Sequence, residues 1–176
     1  MKIRIVIALI TAFLVKTAIA QDFKIIQMAD LKTKTNIGSI KIEASPLGVI
    51  FTPQLTASPM ILTPGLHGFH VHQKGSCSSI VKNGKTILGG GAGGHYDPYI
   101  TNAHGFAWGQ YNHKGDLPAL YVDASGKAEN PVFAPRLTFS ELKGLSIMIH
   151  MNGDNHSDHP KKLGGGGSRV ACGVIE

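Results

Sequence analysis

The 176-residue sequence is poor in tryptophan, with one, poor in cysteine, with two, and poor in charge, with 16% Asp, Glu, Lys and Arg. Sustained helical periodicity is hard to find, which argues against a helical bundle. No basic helix and no ladder of aromatic and basic residues is present, so nucleic acid is not an expected partner. After the first fifteen residues no run is apolar enough to cross a membrane as a helix. Nucleotide-binding and sugar-binding motifs are also missing. What is abundant is glycine, with 22 residues, and histidine, with nine.

The N-terminal stretch MKIRIVIALITAFLVKTAIA has a basic start at Lys2 and Arg4. An apolar run follows from Ile5 to Val15, then the small-residue ending Ala18-Ile19-Ala20. This is the layout of a secretory signal peptide over residues 1–20, with cleavage expected after Ala20. The apolar run is about half of the roughly twenty residues that a spanning helix needs. Residues 21–176 are then one exported domain, free of the membrane, and long enough for a proper core. Loss of Lys2, Arg4 and Lys16 takes the formal charge from +6 to +3. In an oxidising compartment the two cysteines, Cys77 and Cys172, are expected to pair. Two buried free thiols would be the minority alternative.

Short alternating runs recur: FKIIQMA, GSIKIEAS, GVIFTPQL, HGFHVH, ALYVDASG, GLSIMIHM and RVACGVI. Gly- and Pro-rich turns separate them, the pattern of an all-β sandwich or barrel. Two glycine-rich segments, 88–118 and 151–172, are long loops of the kind that is either functional or disordered. The first carries three histidines, three tyrosines and the tryptophan, unlike a disordered linker.

If HGFHVH is a strand, His70 and His72 share one face and His67 points to the other. His150 ends the apolar run GLSIMI and could lie alongside in a neighbouring strand. Two or three imidazoles with an open position suit a redox metal such as copper. In the first long loop, His95, His104 and His113 are spaced nine apart, and Asp116 follows three residues later. Three imidazoles and a carboxylate make the closed donor set of a structural zinc, which would order so glycine-rich a loop. His67 is expected to bond to the backbone, and His156 and His159, among charges, to be solvated.

The motifs GFHVHQKGSC, AGGHYDP, HGFAWGQYNHKGDLPAL, PVFAPRL and GGGGSRVACGVI, with the spacing from His150 to Asp154, resemble the copper-zinc superoxide dismutases, above all the exported bacterial branch. The resemblance runs in order from about residue 38 to the C-terminus. It implies an eight-stranded Greek-key β-barrel, a flattened sandwich with two long functional loops. It implies one copper per subunit on His70, His72, His95 and His150. It also implies one zinc on His95, His104, His113 and Asp116, with His95 bridging the two metals as a catalytic residue. Asp154 would hydrogen-bond a ligand histidine of each metal, by position His70 and His104. Arg169 would attract the anionic substrate, superoxide, and the Cys77–Cys172 disulfide would position it. Lys161 and Lys162 are candidates for steering the anion, or are a solvated pair. The branch is periplasmic and commonly homodimeric, so Phe106 and Trp108 are either a cover over the zinc site or, as the resemblance favours, a dimer contact. The departures are Gln73, Ala107, the GQY segment and His156; none removes a ligand. A non-catalytic copper- and zinc-binding protein of the same fold is the alternative, and it would call for a broken bridge or a missing arginine.

Overall fold

A computed structural model describes residues 22–58 and 60–176; the signal peptide expected over residues 1–20 lies outside the described residues. The chain forms β1 (Phe23–Asp30), β2 (Asn36–Ser45), β3 (Gly48–Thr56), β4 (Gly65–His67), β5 (Phe69–His72), β6 (Ile80–Lys82) and β7 (Lys85–Ile87). It continues with β8 (Leu120–Val122), β9 (Lys127–Ala128), β10 (Val132–Ala134), β11 (Ser146–His150) and β12 (Arg169–Val174). The helical elements among the described residues are three-residue 3-10 turns at Gly90–Ala92, Ser140–Leu142 and Leu163–Gly165.

Eight strands make one curled antiparallel sheet, in the order β10-β3-β2-β1-β12-β11-β5 with β9 also on β3. A second pair, β4 with β8, stitches the two ends together. The chain runs from β4 straight into β5, and β8 turns back into β9 through the Asp123 N–H to Lys127 O bond pattern. The result is the expected all-β barrel. Pro53 sits mid-strand in β3, opposite Ile40 of β2. On the other edge it falls between the β10 partners, Val49 to Phe51, and the β9 partners, Leu55 and Thr56. A residue without an N–H is tolerated where the ladder is already interrupted.

Alternation decides what goes inside. Ile26 and Met28 of β1, Ile40 and Ile42 of β2, and Phe51 and Leu55 of β3 fill the barrel with Phe69, Val71, Ile147 and Ile149. Phe51 and Phe69 meet edge to face, ring centroids 6.1 Å apart. Each such side chain contributes about 1.5–3 kcal/mol by leaving water. The interior is therefore filled with apolar side chains without help from the histidines.

HGFHVH is not one strand. It breaks at Gly68, so that Gly65–His67 pairs with β8 and Phe69–His72 pairs with β11. The Gly68 N–H donates to Asn152 O, and its carbonyl accepts from the His150 N–H, both at 2.8 Å. His67 sits at this break, its Nδ1 2.8 Å from His150 O and its Nε2 2.7 Å from Thr63 O.

All of β5 and β11 is buried on both faces. One face is the barrel core. The other faces the two loops and carries His70, His72, Met148 and His150. The outer edge of β5 would be an unpaired row of amides. The first long loop completes it: Val71 N–H donates to Gly115 O (2.9 Å), Tyr96 N–H to Val71 O (2.8 Å) and Gln73 N–H to Gly94 O (3.0 Å). The second loop folds on itself, with Met151 N–H bonded to Ser168 O and Asn152 N–H to Gly166 O. It ends at Ser168, because Arg169 already begins β12. The expected disulfide is formed between Cys77, in the segment after β5, and Cys172 of β12, with Cα atoms 5.8 Å apart.

Candidate metal centre

The β5–β11 register pairs Ser146 with His72 and Met148 with His70. His150, two residues on, lies on the same face beyond His70. The first loop adds His95, which bridges to His72 along the open edge of β5. Four imidazoles are thus brought together. The rings of His70 and His95 stack at 3.9 Å, and His70 meets His150 at 4.8 Å. His72 lies 5.0 Å from His95 and 5.8 Å from His150.

Each ring has one nitrogen engaged. His72 Nδ1–H donates to Gly93 O and His150 Nδ1–H to Gly167 O, both at 3.1 Å. His70 Nε2 faces Asp154 Oδ2, and His95 Nδ1 faces Asp116 Oδ1, both at 2.8 Å. The other nitrogens, His70 Nδ1, His72 Nε2, His95 Nε2 and His150 Nε2, are buried without a hydrogen-bond partner. One donor atom from each of the four residues lies within 4.8 Å of the others. Four convergent lone pairs with no donor are costly in a protein interior, and they match a cation that favours imidazole, such as copper. Burial, reinforced by the neighbouring imidazoles, pushes His70 and His72 well below the usual histidine range and His150 down to about 4. These rings are neutral at pH 7, with their lone pairs free for a metal.

The second donor set forms around Asp116. Its Oδ1 lies 2.8 Å from His95 Nδ1, 3.0 Å from His104 Nδ1 and 3.3 Å from His113 Nδ1. Its Oδ2 is held by the Gly105 N–H and by Asn112 Nδ2, both at 2.9 Å. Three imidazole nitrogens and one carboxylate oxygen are a donor set for tetrahedral zinc. Burial alone would lower the pKa of His104, but hydrogen bonds to Asp116 and Asp154 outweigh it and push it up to about 9. Gly115 is what lets Asp116 come this close to β5. A Cβ there would lie 2.2 Å from Val71 O and 2.8 Å from Tyr96 N.

Side chains that carry no signal in the spacing of the histidines hold this loop in place. Arg136, in PVFAPRL, donates from Nε to Ala107 O (2.8 Å), from Nη1 to Asn112 O (3.2 Å) and from Nη2 to His113 O (2.6 Å). Lys114 Nζ donates to both oxygens of Glu141, at 2.8 and 2.7 Å. Glu141 also accepts from the Thr138 N–H and the Tyr96 hydroxyl. Asp158 accepts from the His104 N–H at 2.9 Å.

Asp154 joins the two sets. Its side chain is fully buried. Its Oδ2 lies 2.8 Å from His70 Nε2, and its two oxygens lie 2.9 and 3.0 Å from His104 Nε2. Burial alone would raise its pKa, but the bonds from His104 and His70 outweigh this and hold it well below the usual carboxylate range. Gly164 lies against this carboxylate with φ +66°, and a Cβ there would fall on Asp154 Oδ1.

Arg169 is half-buried at the start of β12. Its Nη1 donates to Gly89 O and its Nη2 to Gly93 O, both at 2.5 Å. The same Gly93 carbonyl accepts from His72, so the guanidinium sits directly beside the four-imidazole set. Lys161, Lys162 and His159 are exposed. His156 is not solvated as expected. Its ring stacks under Phe106 at 4.9 Å and lies parallel to His104 at 6.5 Å, because the loop turns it inward. Trp108 also stacks on Phe106, at 5.1 Å, and remains 63% exposed.

The sequence profile described as copper/zinc superoxide dismutase matches residues 37–175. The superoxide dismutase [Cu-Zn] of Photobacterium leiognathi is 62% identical over 159 residues, spanning 90% of this chain and 89% of that protein. Among solved structures, the Cu/Zn superoxide dismutase from Brucella abortus superposes with a TM-score of 0.82 at 42% identity, covering 88% of this chain and all of that one. The monomeric copper, zinc superoxide dismutase from Salmonella enterica does so with a TM-score of 0.75 at 45% identity, again over 88% of this chain and all of that one. The match extends over the barrel and over both loops that carry the donor sets, and with it this chain belongs to the copper/zinc superoxide dismutase family.

Proposed function

We propose that His70, His72, His95 and His150 hold the copper of a superoxide dismutase and that His95, His104, His113 and Asp116 hold its zinc. The observation that carries this is His95. Its Nδ1 belongs to the Asp116 set, and its Nε2 is one of the four unpartnered nitrogens. Bound copper supplies one-electron redox chemistry, by which two superoxide anions and two protons become oxygen and hydrogen peroxide.

The chain's own residues do the rest. Asp154 fixes the tautomer of His70, and the carbonyls of Gly93 and Gly167 fix those of His72 and His150, so that a lone pair points inward from each ring. The Nε2 of His95 is the atom at which the protein can take up and return a proton. Arg169 uses two of its five N–H groups on carbonyls and keeps the others for an anion. The test is metal content with activity. Purified protein should carry about one copper and one zinc per chain, lose dismutation on chelation, and regain it with copper but not with zinc alone. Zinc binding without any dismutation would favour the non-catalytic alternative.

Arg169→Ala removes the positive charge beside His72. Dismutation should fall, and its dependence on ionic strength should weaken, since screening acts on that attraction. Copper content should stay unchanged; parallel loss of copper and activity would make the residue structural instead.

The export reading rests on the leader: cleavage after Ala20 delivers the chain to the periplasm. Intact mass of the periplasmic protein should correspond to a chain beginning at Gln21; an uncleaved mass would refute it.

The exposed aromatics support a homodimer. Trp108 and the 46% exposed Phe106 are continuous with exposed Tyr121 and Phe133, around a shallow depression lined by Pro118, Pro131 and Pro135. Aromatic residues are enriched in interfaces. The Salmonella enterica relative is described as monomeric, which makes the mass of this chain in solution the deciding measurement. Analytical ultracentrifugation should give a dimer for wild type and a monomer for Trp108→Ala, with zinc-free protein weakened because the same loop serves both. A monomer throughout would refute the dimer, and a dimer persisting in both altered forms would put the contact elsewhere.

A further inference from the structure

Five buried side-chain nitrogens among the described residues have no hydrogen-bond partner. Four are the convergent set assigned to copper. The fifth is His156 Nδ1, which belongs to neither metal set. It lies 3.9 Å from Asp154 Oδ1, too far for a hydrogen bond. That separation is within the span that two ligands about 2.1 Å from one zinc ion can bridge. His104 Nε2 lies 2.9 Å from the same oxygen, and one donor atom from each of the three residues falls within 4.8 Å of the others.

The placement of His156 is specific. Its N–H donates to Asp154 Oδ1 at 2.7 Å, and its φ is +54°, a conformation that non-glycine residues seldom adopt. This turns the ring in over Asp154, between Phe106 and His104. Exposure then gives a direction. The side chains of His104 and Asp154 are fully buried, while that of His156 is 16% exposed. His113, at the other margin of the zinc set, is 10% exposed, but its Nδ1 already faces Asp116. Among the described residues, the buried unpartnered nitrogen that lies between solvent and the Asp154 carboxylate is His156 Nδ1.

We propose that His156, Asp154 and His104 Nε2 form an outer zinc site, through which the ion passes on its way to and from the inner set. The inference rests on the zinc reading of His95, His104, His113 and Asp116. His104 is common to both sets, with Nε2 on the outer side and Nδ1 on the inner. An ion held outside is therefore already on a ring that ends as an inner ligand. The two positions exclude each other. With zinc inside, His104 Nε2 carries the proton donated to Asp154, and the outer set is reduced to two donors. Zinc outside would sit on Asp154 Oδ1, the oxygen not bonded to His70, and displace the hydrogen bond from His104 Nε2, so the site is a transit position and not a second resting one.

The test uses the fully metallated protein and isotopically labelled zinc in solution, with exchange followed by mass spectrometry. His156→Phe keeps a flat ring between Phe106 and His104 but has no nitrogen; His156→Cys restores a zinc ligand without the ring. Exchange should slow about tenfold or more in His156→Phe, the scale on which partners around a metal ligand act. In His156→Cys it should stay close to the wild-type rate. Equal rates in all three, or equal slowing in both variants, would overturn the outer site. Bound zinc is measured in the same samples. About one zinc per chain tests the inner assignment separately, so failure of that reading is distinguishable from failure of this one.

Discussion

Dismutation is expected to collapse in His150→Ala and in His70→Ala while the barrel stays folded. The loss should exceed the roughly 10- to 100-fold that removing a hydrogen-bond partner of a metal ligand costs, since a ligand itself is lost. The fold survives because β11 divides its labour between two faces. Ile147 and Ile149 are in the barrel core, and His150 is on the opposite face with Met148. Alanine at 150 also removes one of four buried nitrogens that repel one another without a cation, so the metal-free variant should unfold at nearly the wild-type denaturant midpoint. Copper content, dismutation and urea unfolding on the same samples check this. Near-normal activity with copper still bound would sink the ligand assignment, and a variant that fails to fold would show that the histidine face is structural.

The second large effect is on stability. Cys77 and Cys172 close a span of 95 residues. In the chain-entropy model, opening a loop of that length costs about 4–5 kcal/mol. The Cys77→Ser, Cys172→Ser double variant should lose about that much in urea unfolding of the metal-free protein, without a free thiol to confuse the result. That is a large share of the roughly 5–15 kcal/mol that holds a domain of this kind together. Activity should fall as well. Cys172 is three residues from Arg169 on β12, and Cys77 packs against the small cluster of Leu31, Ala92 and Met148 beneath the first loop. Gly89 and Gly93, which hold the guanidinium, flank Ala92. A double variant with wild-type stability would mean that the loop is closed by other contacts.

Local pattern alone determined a good deal about this protein. Alternation in FKIIQMA, GSIKIEAS and GVIFTPQL fixes β1 to β3 and their buried faces, because a strand's two-residue period is a property of the backbone. The same parity puts His70 and His72 on one side of β5. Two cysteines behind a stretch that reads as an export leader imply the bridge. The nine-residue spacing of His95, His104 and His113 marks the first loop as a place where imidazoles gather. Resemblance in ordered motifs carried the family and the barrel.

Other features depend on approach between distant segments, and no local rule contains them. The break at Gly68 arises because β4 and β5 have different partners, β8 and β11. The order of the glycine-rich loop comes from the open edge of β5, whose amides bond to Gly94, Tyr96 and Gly115, and from Arg136, which reaches three carbonyls of the loop from the end of β10. His156, in a polar run, reads as solvated by composition; the turn around Asp154 instead buries its Nδ1 against a carboxylate. That four histidine nitrogens converge without a partner is also decided only in three dimensions. The sequence determined which side chains were available and which way the strands would point them. The tertiary structure decided which of their nitrogens are satisfied by the protein and which are left for a metal, because hydrogen-bond partners such as Gly93 O, Gly167 O and Asp154 come from elsewhere in the chain.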